Sequence, residues 1–339
     1  MQDNAQAQRQ LELSIFRYAF GVGLAVFLAA WIDWPLAFVA PVFTAKFLLD
    51  KPTYNWATVY ELLIAMIVTM ALGLVLSRGI TEYPVALMCL VGLMMLWGYF
   101  LFTNPKWNLF ATMLIIAILM LPFVAMSSPS ASLFLAFGLV VSGVVAVAIF
   151  ALMHILMPDV SERTAEPAPM LTTNQRWYTT VRAMLISFPV VCFFFVFQIS
   201  QALLTMMFIA VFSLMITKEN SVKLSSFLVL SNAIGGAIAV VAFVILGLNA
   251  TLGFYVIFIT FLALIVSTKI YTEPSKGAVY ATAFSTVLVL LGNTLMSSGD
   301  IGNNMWVRIV QLVLTSVYMI ATAYFLETRQ WKFLQQQSL

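Results

Sequence analysis

Apolar residues in this chain run in long unbroken stretches, separated by short connectors rich in Pro, Gly, Asn and Asp. A helix needs about 20 apolar residues to cross hydrocarbon, and by that ruler the stretches predict about twelve helices. They fall at 12–32, 35–50, 56–77, 83–102, 108–126, 131–157, 177–197, 200–217, 222–247, 250–269, 276–297 and 305–327. The longest connector, Pro158 to Arg176, contains the polar, proline-bearing SERTAEPAP and divides the chain into near-equal halves. The expected fold class is therefore all-α: a polytopic membrane protein with two parallel six-helix repeats. Residues 1–157 form the first repeat, 158–176 a cytoplasmic linker, 177–328 the second repeat and 329–339 a tail. The polar N-terminus has no basic region or small-residue cleavage site, so the first stretch is expected to be a retained span.

Composition narrows the function classes. The 339 residues carry 16 Lys+Arg and 13 Asp+Glu, only 9% charged, against 63% apolar. Soluble domains run near 25% charged, and the mean hydropathy here is +1.02. Lipid is the solvent, which excludes a soluble enzyme, a nucleic-acid binder, a secreted disulfide scaffold and a disordered tail. A net charge of +3 is too small to attract a polyanion. Cys89 and Cys192 lie inside apolar stretches without metal-ligand spacing and read as small core residues.

The placement of the charges orients the chain. With the N-terminus in the cytoplasm, Arg9, Arg17, Lys46, Lys51, Lys106, Arg163, Arg176, Arg182, Lys218, Lys223, Lys269, Lys276, Arg329 and Lys332 fall on or near the cytoplasmic side. Only Arg78 and Arg308 fall on the other, so the positive-inside rule places both termini in the cytoplasm.

The halves are related. Val42-Phe43-Thr44 matches Val211-Phe212-Ser213, Asp50 matches Glu219, and Phe102-Thr103-Asn104-Pro105 matches Tyr271-Thr272-Glu273-Pro274, every pair 169 residues apart. Six spans per half is an even number, so both halves cross in the same sense. That predicts an axis along the membrane normal and a pathway where the halves meet.

Few side chains in these spans carry chemistry. Arg17 and Arg182 each lie about one turn inside the first span of their half, which suits a pair of guanidinium groups at the inner mouth of a pathway. The competing reading is two anchors that snorkel to the headgroups. Lys46, near the inner end of the second span, is another candidate cation with the same alternative. Glu61 is the acid well within a predicted helix; it either pairs with Lys46 or Arg17 or relays a proton. Phe43 and Phe212 occupy matching positions in the second spans and would present flat apolar faces to an aromatic acid, lipid or core contact being the default. Pro41 and Pro189 sit inside spans and free a backbone carbonyl there. No P-loop, G-x-S-x-G or H-E-x-x-H occurs, and the single histidine, His154, lacks companions for a metal. The expectation is a protein that is not an enzyme and holds neither cofactor nor metal.

The six-span halves, the arginine early in the first span, Pro41-Val42-Phe43-Thr44 running into a short basic turn, and Thr103-Asn104-Pro105 resemble the fusaric-acid-resistance superfamily. This group includes the bacterial aromatic carboxylic acid exporters. The resemblance to its small inner-membrane branch covers nearly the whole chain. It implies an inner-membrane exporter of small, often aromatic, organic acids and an HlyD-type periplasmic adaptor as partner. It also leaves open whether the halves form one pathway in a monomer or require a homo-oligomer. The competing functions are a passive organic-anion channel, a major-facilitator-like secondary transporter and a membrane subunit that anchors a partner without transporting. The turn Asp50-Lys51-Pro52-Thr53-Tyr54-Asn55 lacks the basic loop motif usual in major facilitators.

Overall fold

The computed structural model describes residues 2–51, 53–158, 172–198, 222–249, 251–296 and 310, with 314, 317, 318, 321, 322 and 325 beyond. Ten α-helices lie among the described residues: α1 Gln2–Ile32, α2 Val39–Asp50, α3 Trp56–Gly79, α4 Pro84–Phe102, α5 Asn108–Ser127, α6 Pro129–Leu156, α7 Thr173–Phe197, α8 Val222–Leu248, α9 Leu252–Thr272 and α10 Pro274–Met296. Eight helical stretches are long and apolar enough to cross a bilayer. The protein is an all-helical, multi-pass membrane protein, as the run lengths predict. The expected spans 200–217 and 305–327 lie wholly or mostly outside the described residues.

Local chemistry sets the helix boundaries. Pro84, Pro129 and Pro274 open α4, α6 and α10, where a proline loses no intrahelical bond. Thr172 and Gln175 close a capping box at the start of α7, and the Thr251 hydroxyl accepts from the Phe254 amide at α9.

The second predicted span departs from expectation. Instead of a helix over 35–50, a turn precedes a 12-residue α2, about 18 Å long at 1.5 Å per residue and well short of the hydrocarbon thickness. Pro41 is the third residue of this helix, where amides have no intrahelical acceptor, so it costs no hydrogen bond and makes no kink. In the turn, Asp33 and Leu36 both adopt left-handed φ (51° and 59°). The carbonyl of Leu36 accepts from Ser142 on α6 at 3.0 Å, and Ser142 accepts from the Trp34 indole at 2.8 Å.

The chain divides into two compact units, and each draws on both sequence halves. The first unit holds α1, α2, the start of α3, α6 from Phe137, α8 from Ser231, α9 and α10. Within it α1 packs on α2 and α9, and α10 packs on the same two helices, which closes a four-helix ring. Tyr18 of α1 and Phe284 of α10 meet across that ring, centroids 6.1 Å apart. The second unit holds α3 from Ile64, α4, α5, α7 and residues from Val310. There α4 packs on α5 and α7, and the Tyr99 hydroxyl donates to Ser187 at 2.7 Å.

Candidate functional site

The register of the four-helix ring follows from its small residues. A Cβ on Gly23 would strike Thr260 of α9, and the Ser267 hydroxyl donates to the Ile15 carbonyl, so α1 and α9 run antiparallel. The end of α9 at Thr272 therefore lies opposite Gln10. On another face of α1, a Cβ on Gly21 would sit 2.7 Å from Leu48 and 3.7 Å from Thr44 of α2, and 3.2 Å from Met153 of α6. Asp50 and Leu156, the last residues of α2 and α6, thus come level with Arg17, one turn before Gly21 on the same face. Both helices stop there, while α1 and α9 continue for about 10 Å, seven residues at 1.5 Å each. The result is a step in the first unit, at the helix ends that carry the basic residues.

Arg17 is 4% exposed at this step. It is not a lipid-facing anchor. Two helix C-termini at its level place carbonyl partial charge where a guanidinium is favoured, which offsets part of the cost of burying it. Around it the charges are paired. Lys46 bridges Asp50 at 2.9 Å, one turn away on α2, and Lys51 bridges Glu61 of α3 at 3.1 Å. Glu61 is thus held by the connector lysine, a partner not considered in reading the sequence. Phe43 is buried and stacks on Phe47, centroids 6.0 Å apart. Tyr54 lies 6.3 Å from the His154 ring and 5.9 Å from Trp56, and His154 lies 4.4 Å from Phe150. Aromatic faces therefore accompany the cations at the step.

At the α9–α10 turn, Lys269 and Tyr280 donate to opposite oxygens of Glu273 at 3.1 and 3.0 Å, and Lys276 approaches to 3.7 Å. The hydrogen bonds from Lys269 and Tyr280 hold this carboxyl below the usual carboxylate range.

Arg182 lies in the second unit, on α7, and is 6% exposed. Its face of the helix also carries Thr179 and Ile186, and the Ile186 carbonyl accepts from the Tyr318 hydroxyl at 3.0 Å. Of the six residues singled out in the sequence, the first unit contains Arg17, Phe43, Lys46 and Glu61, the second contains Arg182, and Phe212 lies outside the described residues. Sequence reading passed over Tyr18, Lys51 and Tyr54, since a tyrosine or lysine near a span end is the ordinary composition of an interface. Cys89 is exposed and Cys192 partly so, and neither is a core residue as expected. Both sit on outward faces of lipid-length helices, where a small thiol is as acceptable as in a core.

No curated protein and no solved structure matches the chain. Residues 14–153, which begin one turn before Arg17 on α1 and end at Met153 on α6, are similar to a family described as a protein of unknown function (DUF2955).

Proposed function

We propose that the protein is an inner-membrane efflux permease for small organic carboxylates, aromatic ones foremost, with both termini cytoplasmic and an HlyD-type periplasmic adaptor as partner. The observation that carries this reading is the buried Arg17 at the step where α2 and α6 end, beside paired lysines and aromatic faces. A buried guanidinium in a membrane span is costly and is placed for an anion or a structural charge. Bidentate donors suit a carboxylate. The resemblance to the aromatic acid exporters supports the substrate class and is the sole support for the adaptor.

Duplication into two six-helix repeats supports a transporter over a passive anchor. In the first unit the first helix of one half, α1, packs on the fourth of the other, α9; in the second unit α7, first of its half, packs on α4, fourth of the other. The meeting of Gly21 with Met153 recurs 165 residues on as that of Ile186 with Tyr318. Arg17 and Arg182 are separated by the same 165 residues. Where Gly23 makes room for Thr260, the equivalent Phe188 fills the space left by Gly92. Each unit thus has the composition expected when equivalent helices are exchanged between halves.

Energetics favour export of anions. With the cytoplasm negative, one negative charge moving outward gains roughly 2.3 kcal/mol per 100 mV, more than tenfold in concentration. No buried proton relay is then needed. The test is efflux of radiolabelled benzoate from preloaded cells. Cells that make the protein should empty faster than cells lacking it, and equal rates across a panel of aromatic and aliphatic acids would defeat the proposal.

A further inference from the structure

In the second unit α4 and α7 run antiparallel: Arg176 reaches Thr103 and Phe100 near the end of α4, Ser187 accepts from Tyr99, and Phe188 meets Gly92. The helices come close at that last point, where a Cβ on Gly92 would stand 2.7 Å from the Phe188 ring and 3.4 Å from Met184. Cys89 lies three residues before Gly92, and Cys192 lies four residues after Phe188. These are rises of about 4.5 and 6 Å toward the same end of the pair. The two cysteines therefore stand level on facing helices. Cys89 is exposed and Cys192 partly so, which puts them at the rim of the interface, and their thiols interact electrostatically. A disulfide needs close helix approach, and the contact at Gly92 supplies it one turn away. The chain has two cysteines in all, so each is the one possible disulfide partner of the other within a single copy.

We propose that Cys89 and Cys192 form a dithiol site that hydrogen peroxide oxidises to a disulfide, fastening α4 to α7. One sulfur, as thiolate, attacks a peroxide oxygen; the O–O bond breaks, hydroxide leaves and a sulfenic acid remains. The second sulfur attacks the sulfenic sulfur, the S–S bond forms and the oxygen leaves as water. Two thiols and one peroxide thus give one disulfide and two waters, the sulfurs losing the two electrons that the peroxide gains. Peroxide is small and uncharged, so it reaches a thiol at the rim of an apolar span, where a charged oxidant is excluded. The level partner captures the sulfenic acid before further oxidation to a sulfinic acid, which thiols do not reverse. The bond holds α7, the helix of Arg182, in one register against α4, and a thiol reductant frees it. The site is independent of whether the chain exports acids.

The experiment treats the full wild-type chain in liposomes with hydrogen peroxide, then unfolds it in detergent with a polyethylene-glycol maleimide that adds a visible mass to every remaining thiol. Untreated protein should take two adducts and oxidised protein none, with both restored by dithiothreitol. On a non-reducing gel the oxidised chain should stay monomeric, and tryptic mass spectrometry should find the Cys89 and Cys192 peptides joined. The oxidised chain should also melt several degrees above the reduced one, a gain that Cys192→Ser abolishes. In that variant dimedone should trap a sulfenic acid at Cys89 that wild type consumes. Two adducts after peroxide overturn the proposal, because the thiols then do not react. Loss of thiols that dithiothreitol fails to restore overturns it too, since each cysteine is then oxidised alone. A disulfide-linked dimer in place of the linked monomer does the same, because the thiols then face away from each other.

Discussion

The guanidinium of Arg176 sits over the Phe100 ring, its central carbon 4.2 Å from the ring centre, and its Nε donates to the Thr103 hydroxyl at 2.7 Å while Nη2 donates to the Phe100 carbonyl at 3.2 Å. One side chain from α7 thus stacks on α4, satisfies a carbonyl of its last turn and sets positive charge against its C-terminal dipole. Trp177 also packs on Phe100, ring centroids 4.8 Å apart. Arg176→Ala should cost about 1–3 kcal/mol, the range for losing charged hydrogen bonds at a partly buried site. Arg176→Lys should recover only part, since an ammonium keeps the charge but neither the stack nor the fork. Melting temperatures in detergent measure both, and a lysine variant as stable as wild type would reduce the clamp to a simple charge.

The turn between α1 and α2 depends on α6. Ser142→Ala removes the acceptor of the Trp34 indole and the donor to Leu36 together, an expected loss of about 1–3 kcal/mol. Gly138→Ala should cost more, because the added methyl would run into the Pro35 carbonyl, and backbone cannot move aside as a side-chain end can. A thermal scan of the two variants should rank them in that order, wild type highest.

Glu273 gives a pH dependence with a definite sign. Its carboxyl is held below the usual range by hydrogen bonds from Lys269 and Tyr280. A depressed folded-state pKa contributes stability that is present above the unfolded value and is lost as pH falls through the folded one. Wild type should therefore exceed Glu273→Gln in melting temperature at neutral pH, and the two should converge in acid. The group is about a third exposed, so the gap will be modest and will shrink with added salt. A gap that stays constant from neutral to acid pH would show that the carboxylate charge contributes nothing.

Much of the fold could be read from run lengths, because satisfying every backbone amide in lipid leaves a span few options but helix. The bounds of α4 and α5 at Pro84 and Asn108 lie within a residue or two of those expected, since proline and asparagine punctuate the apolar runs there. What could not be read was length hidden by composition. The stretch 35–50 is apolar throughout, yet its first residues form a turn tied to Ser142, and a hydrogen bond across more than a hundred residues leaves no local mark. The step at Arg17 follows from that shortened helix. The arginine was visible as a charge, but its burial depends on which face Gly21 gives to α2 and α6. Glu61 was visible too; its partner Lys51 stands in a connector and is brought near only by the turn into α3.

The proposed orientation is open to a direct test. Gly79 at the end of α3 and Ser275 at the start of α10 are both exposed, and a Cβ at Gly79 would meet nothing. In a background without Cys89 and Cys192, a cysteine at position 79 should react with an impermeant maleimide added to intact spheroplasts. A cysteine at position 275 should react only after lysis. Reaction of both from outside would reverse the reading of the charge asymmetry.

The two arginines separate a binding site from a membrane anchor. An anchor holds its charge among headgroups and works as well with lysine. Arg17 and Arg182 are instead 4% and 6% exposed, on α1 and α7. Replacing either with glutamine keeps most of the packing stem and removes the charge. If a carboxylate binds there, the lost charge-assisted bond amounts to about 1.5–3 kcal/mol, roughly tenfold to a hundredfold in apparent affinity for benzoate. Arg17→Lys should fall well short of wild type, because an ammonium cannot form the bidentate pair that a planar guanidinium offers. An anchor would give the opposite pattern, with lysine fully competent and glutamine lowering the amount of protein in the membrane. Efflux rates at several loading concentrations, normalised to protein level by blotting, distinguish the two. Should both glutamine variants reach normal levels and export as wild type does, the arginines serve the fold alone and the anion is bound elsewhere.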